Sequence, residues 1–131
     1  MPVEITTDPF PEDDVMRALW LLAWGNAGPE SFRPLLERGL AHVGAFSDGA
    51  LVGFVNVAWD GGVHAFILDT CVVPRLRRQG VALRLVRRAA EVARQRGAHW
   101  LHVDFEPHLE GFYRQCGFAP TGAGLMRLNA H

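Results

Sequence analysis

The sequence predicts an α/β sandwich, with a mixed, mostly antiparallel central sheet of about six to seven strands flanked by helices. Three observations predict it. Residues 41–73 hold three apolar runs separated by two turn signals, Ser47-Asp48-Gly49 and Asp60-Gly61-Gly62. Residues 81–96 carry a clear helical period. Beyond that helix, Trp100 to Phe105 alternates and returns the chain to strand, so helices and strands interleave.

Residues 2–11 contain three prolines and read as a strand or an extended lead-in. Glu12 to Trp24 places Val15, Leu19 and Leu22 at helical spacing, with Asp13 and Asp14 in the first turn where they favour the helix dipole. Gly25-Asn26-Ala27-Gly28 breaks that helix, and Pro29 suits the start of a second one running to Arg38, with Gly39 as its stop. Ala41 to Phe46, Leu51 to Trp59 and His64 to Val73 read as strands, the third mostly apolar and therefore central. Val81 to Arg96 repeats Ala82, Leu85, Val86, Ala89, Val92 and Ala93 on one face, and Gly97 closes it. His108 to Gln115 reads as a short helix ended by Gly117, and Phe118 to the end as one or two final strands.

The 131 residues suit one domain, 1–131, with enough length to bury a core without disulfides. The hydrophobic fraction is 49% and the charged fraction 21%, ordinary for a globular protein. Cys71 and Cys116 match no metal or redox spacing and read as free thiols in a reducing compartment. No signal-peptide pattern and no membrane-length apolar run occurs, so a cytoplasmic protein with no membrane partner is expected. The six histidines form no compact set with ligand spacing, and no metal is expected.

The net charge of −1 hides an uneven distribution. All 13 basic residues are arginine, and eight fall between Arg75 and Arg96. That cluster is either one solvated helix face or an electropositive site for a phosphate-bearing ligand. Five of the 14 acids lie at Glu4, Asp8, Glu12, Asp13 and Asp14, a solvated lead-in or an attractor for a cationic amine.

The junction Val72-Val73-Pro74-Arg75-Leu76-Arg77-Arg78-Gln79-Gly80-Val81-Ala82 carries the most chemical information. An apolar strand runs into a basic turn that opens a long helix. The first N–H groups of a helix lack internal partners and point from its positive end, which favours an anion there. Gly80 and Ala82 keep the backbone approachable. No Gly-Lys-Ser/Thr follows, so this is not a nucleoside-triphosphate loop.

Arg77-x-x-Gly80-x-Ala82, after Val72-Val73-Pro74, resembles the pyrophosphate-binding motif of the GNAT superfamily of acetyl-CoA-dependent N-acetyltransferases. Phe112-Tyr113-Arg114-Gln115-Cys116-Gly117-Phe118 is similar to a segment near the end of those enzymes. The two matches cover roughly residues 64–120. The family's Asn and Ala just upstream are replaced by Glu106 and Leu109. The resemblance implies that residues 72–82, and in particular Val72, Val73, Pro74, Arg75, Arg77, Arg78, Gln79, Gly80, Val81 and Ala82, bind coenzyme A. It implies direct transfer of an acetyl group from acetyl-CoA, as cosubstrate, to a primary amine of a small molecule or peptide. Tyr113 would be the general acid that protonates the thiolate, and a backbone N–H near Val72 or Val73 would hold the oxyanion. Such enzymes splay the strand before the motif away from the next one, and homodimers are frequent among them.

The base is left open among Asp69, His102 and Asp104, with Glu106 and His64 as weaker candidates and a water chain as a further route. Trp20, Trp24, Phe32 and Trp59 lie in the half that shapes the acceptor pocket in related enzymes, or are plain core. Two rival readings remain: a catalytically silent acyl-CoA-binding or regulatory domain of the same fold, and an Arg-rich nucleic-acid module. The second is disfavoured by the acidic remainder and the absence of lysine, so no nucleic acid partner is expected.

Overall fold

The computed structural model describes residues 2–129. Strand β1 (Glu4–Thr7) leads to helices α1 (Asp13–Trp24) and α2 (Arg33–Arg38). Strands β2 (Ala41–Ser47), β3 (Ala50–Trp59) and β4 (His64–Val72) follow as a meander, and α3 (Val81–Gln95) succeeds a short 3-10 turn. Strand β5 (Trp100–His102) and helix α4 (Glu110–Cys116) complete the described elements. The sheet order is β1-β2-β3-β4-β5, antiparallel except for the parallel β4–β5 pair that the α3 crossover makes.

The predicted fold class is the one observed, with five strands among the described residues. The one or two expected final strands do not form among the described residues: residues 118–128 join no ladder. Pro120, Gly122 and Gly124 weaken strand propensity there. The last strand stops at His102, not Phe105. The second helix starts at Arg33 rather than Pro29. Pro34 explains that shift, because its ring and missing N–H are tolerated only in a first helical turn.

Register assigns the two faces. Gly53, Val55 and Val57 of β3 look toward α3, whose Leu85 lies so close that a methyl at Gly53 would sit 3.0 Å from it. Ala65 and Ile67 of β4 share that face and are buried. Phe54 points the other way, onto Trp20 of α1 at 5.8 Å between ring centroids. Trp20 also meets Phe32 edge-on at 4.9 Å, so both aromatics are core rather than pocket. Trp24 and Trp59 are exposed.

The arginines of α3 resolve largely as clamps. Arg84 donates to the Val3 carbonyl at 2.9 Å, and Arg88 reaches the Ile5 carbonyl and Thr7 Oγ1 of β1, both at 3.4 Å. Arg96 donates to the Leu40 carbonyl at 2.9 Å and pairs with Asp8 at 2.7 Å. These long side chains tie α3 to the edge of the sheet, where β1 would otherwise be a weakly held lead-in.

Candidate active site

The site is built where β4 loses its neighbours. Residues Phe54 and Asn56 of β3 pair with Cys71 and Leu68 of β4, so Asp69 and Thr70 together oppose Val55. This is a β-bulge, and Asp69 accommodates it at a left-handed φ of +58°. On the other side, the β4–β5 ladder ends at Phe66 opposite His102. From Ile67 to Val72, β4 has no β5 partner, which leaves a gap in the ladder at the place where the splay is expected.

Of the two peptides expected to hold an oxyanion, Val73 is excluded, because its N–H donates to the Val52 carbonyl at 2.8 Å. Residues along an antiparallel strand alternate between facing the partner and facing away. With Val73 bonded to β3, Val72 turns its peptide into the gap, and its carbonyl accepts from Arg77 Nε at 3.1 Å.

Beyond Val72 the chain forms the 3-10 turn Pro74–Leu76, then places Arg78 at φ +65° and Gly80 at φ +81°. Gly80 is the N-cap of α3 and supplies no side-chain bond, while its carbonyl takes the first intrahelical bond from Arg84 N–H at 3.1 Å. The N–H groups of Val81, Ala82 and Leu83 are thus the unpartnered donors of the helix start. No side chain closes over Gly80: a Cβ built there meets nothing within 4 Å. Arg75 and Arg78 are exposed, and among the described residues their side chains make no hydrogen bond or ion pair. Gln79 turns back to the Arg75 carbonyl at 3.2 Å. Arg77 also turns back, its Nη2 donating to the Ala23 carbonyl at the end of α1 at 3.1 Å. The Arg77 side chain therefore braces the turn.

Tyr113 lies on α4, only 7% exposed, stacked on Phe105 at 4.9 Å and edge-on to Phe112 and Phe118. Its hydroxyl is directed at the bulge. The Thr70 Oγ1 is buried with no partner at bonding distance, and the two side chains still interact weakly. Burial raises the Tyr113 pKa, Thr70 opposes this, and the negative charges of Cys116 and Asp104 add to the rise. The phenol is therefore held in its protonated form.

The base candidates separate. Asp69 sits in the bulge, open to solvent at its rim, yet walled closely enough that lost hydration raises its carboxyl pKa. Asp104 is beyond the end of β5, and its charge falls on Tyr113. His102 stands at the end of the β4–β5 ladder: its ring stacks on Phe66 at 4.7 Å and its Nε2 meets His64 Nδ1 at 2.8 Å. Glu106 is exposed and caps a 3-10 turn. Among the described residues no three His, Cys, Asp or Glu gather as a metal-ligand group.

Neither cysteine is poised to react. Burial, helped by Asp69, pushes the Cys71 thiol up to about 12, and burial raises Cys116 against the opposing charge of Arg87. Sequence reasoning missed Thr70 and Phe66. Only the polar Asp69-Thr70 pair inside an apolar strand hinted at the bulge.

A strand that splays at a bulge, a helix start with free donors and a buried protonated tyrosine define the acetyl-transfer class of α/β fold. The model of the acetyltransferase (GNAT) family matches residues 3–118, and the chain belongs to that family. It is similar to the probable glucosamine 6-phosphate N-acetyltransferase 2 of rice (Oryza sativa subsp. japonica), with 36% identity over 65 residues. That match spans 50% of this chain and 39% of the relative, so the chain covers well under half of that protein. In fold it resembles a probable acetyltransferase from methicillin-resistant Staphylococcus aureus, with a TM-score of 0.80, 20% identity and coverage of 98% and 99% of the two chains. It also resembles AAC(6')-Iy, solved with the bisubstrate analogue CoA-S-monomethyl-acetylneamine, with a TM-score of 0.78, 19% identity and full coverage of both chains.

Proposed function

We propose that this chain is an N-acetyltransferase that moves an acetyl group directly from acetyl-CoA to a primary amine of a small molecule or peptide. One juxtaposition carries the reading: Tyr113 is buried against the β4 bulge, beside the stretch of β4 that has no β5 partner and that leads on to the free N–H groups of α3. A diphosphate at Val81, Ala82 and Leu83 would gain several backbone hydrogen bonds, with Arg75 and Arg78 adding charge. A pantetheine arm laid along the gap would bring its thioester to the bulge. The relatives named as acetyltransferases and the fold neighbour holding a coenzyme A analogue support the same choice.

In this reading each group of the chain has one task. The Val72 N–H, facing the gap, stabilises the negative charge that develops on the acetyl oxygen. Tyr113, protonated, gives its proton to the leaving thiolate. Asp69, His102 or Asp104 receives the proton that the ammonium form of the acceptor must lose. No metal enters this chemistry. A cytoplasmic location and a homodimer accord with the reading. No described helix is long and apolar enough to cross a membrane.

A silent acyl-CoA-binding domain would use the α3 turn equally well. The protonated Tyr113 at the bulge favours the enzyme. Calorimetric titration with acetyl-CoA, with ATP as control, is the first test. Saturable one-to-one binding with much weaker ATP is expected, followed by thiol release when primary amines are added. Absence of acetyl-CoA binding overturns the proposal, and binding without thiol release across the amines selects the silent domain.

A further inference from the structure

The pair His64–His102 is not accounted for by coenzyme A binding or by the bulge. It stands on the sheet face opposite α3. His64 and Phe66 alternate with the buried Ala65 and Ile67, and His102 is the last β5 residue in the ladder before the gap opens. The ring centroids are 5.1 Å apart at 42°, with Phe66 stacked behind His102. A donor that arrives over α3 and α4 leaves this face, flanked by the end of α1, as the side from which the acceptor amine approaches.

The 2.8 Å contact joins Nδ1 of His64 to Nε2 of His102, so one of these nitrogens donates and the other accepts. The outward nitrogens are then His102 Nδ1 and His64 Nε2. In the neutral pair one of them carries hydrogen and the other a lone pair. Shifting the shared hydrogen between the rings exchanges these two roles. A proton taken up at His102 Nδ1 lets the Nε2 hydrogen pass to His64 Nδ1 and the Nε2 hydrogen of His64 leave to solvent. Charge is conserved at every stage, and the reverse passage, with water protonating His64 Nε2 and taking the hydrogen of His102 Nδ1, restores the starting pair.

We propose that His64 and His102 form a two-ring proton relay that accepts the ammonium proton of the acceptor at His102 and discharges it at His64. The inference rests on the transferase reading above. Phe66 lies three residue steps from Asp69 of the bulge, about 10 Å at the strand rise, so bridging water carries the proton over that distance. His64 is the favourable place for the positive charge. Its peptide N–H donates to Asp60 Oδ1 at 3.3 Å, and that carboxylate, held below its ordinary pKa first by the Gly62 N–H and also by the His64 N–H, places negative charge beside His64. The charged groups further along the two strands, Asp69 on β4 and Asp104 beyond β5, are also acidic. The last turn of α1 brings no basic side chain.

The experiment measures kcat/KM against pH for the intact chain, using acetyl-CoA and a panel of primary amines that includes glucosamine 6-phosphate, phenethylamine and a lysyl peptide. Acetyl-CoA affinity is measured in parallel. His102→Asn is expected to lower kcat/KM about 100-fold at pH 7 and to remove the acidic limb of the profile, with acetyl-CoA affinity unchanged. His64→Asn keeps a polar atom near the Nδ1 position but cannot pass a proton. It is expected to lose about 10-fold and to move the limb, where a merely structural role would leave the limb in place. If Asp69→Asn moves the limb and the histidine variants do not, the relay is overturned while the transferase stands. If acetyl-CoA binds and no amine is acetylated, the transferase and the relay fail together.

Discussion

Arg77 donates from Nε to the carbonyl of Val72, five residues back along the chain, at 3.1 Å. With its second bond to the Ala23 carbonyl it locks the end of β4, the phosphate-facing turn and the end of α1 into one corner. Arg77→Ala therefore removes a brace of the turn. Hydrogen bonds from a charged donor are worth about 1.5–3 kcal/mol, and partial exposure here lowers that to about 1 kcal/mol. Denaturant unfolding should register this loss, and the accompanying drop in acetyl-CoA affinity should be insensitive to salt. Arg78→Ala should behave oppositely, with stability unchanged and affinity weakened most at low ionic strength.

The phenol of Tyr113 is protonated because burial withdraws water from the phenolate, and nearby negative charge adds to this. Tyr113→Phe keeps the stacked ring and removes only the proton donor. Turnover should fall about 100-fold, while calorimetry gives the wild-type affinity for acetyl-CoA. The sign of the pH effect follows from the raised pKa. The acid form persists through neutrality, so loss of rate from this group should set in only above the ordinary tyrosine range, near pH 10. A steady-state profile extended to high pH checks the limb, and its absence in Tyr113→Phe assigns it.

How much of this could be read from the chain alone differs by element. α1 and α3 were legible because their apolar spacing is local, and β2 to β4 because their turns are explicit. The strand–turn–helix corner was legible for the same reason, as was the position of Tyr113. The inward course of Arg77 was not, since a side chain that caps carbonyls 5 and 54 residues away leaves no local trace. The bulge at Asp69-Thr70 depends on register against β3, and the His64–His102 contact joins residues 38 apart. The missing final strands make the same point from the other side: a strand needs a partner edge, which alternation does not supply.

Gly80 takes a φ of +81° with open space where a Cβ would stand. Conformation and not packing is what selects glycine here. Gly80→Ala should cost about 1 kcal/mol and weaken acetyl-CoA modestly. Gly80→Glu carries the same backbone cost but sets a carboxylate at the anion site. The two variants should match in thermal unfolding and differ in calorimetry, with binding abolished only in Gly80→Glu. Equal affinity in both would remove the phosphate assignment from this turn.

His42 is fully buried on β2, accepting the Phe10 N–H at Nε2 (2.9 Å) with its Nδ1 3.6 Å from Asp8. Burial lowers its pKa below 6.5; Asp8 opposes that shift and Arg96 reinforces it. The folded state thus stays neutral while the unfolded chain takes up a proton near 6.5. Between the two values the unfolded state binds more protons, so stability rises with pH across that window and is lost as pH falls below 6.5. Above it the group contributes no pH dependence. Urea unfolding from pH 5 to pH 8 should show this slope in the wild type. His42→Gln retains an acceptor for the Phe10 N–H and does not titrate. Its stability should be lower throughout but flatter between pH 5 and 6.5, and an unchanged slope would place the titrating group elsewhere.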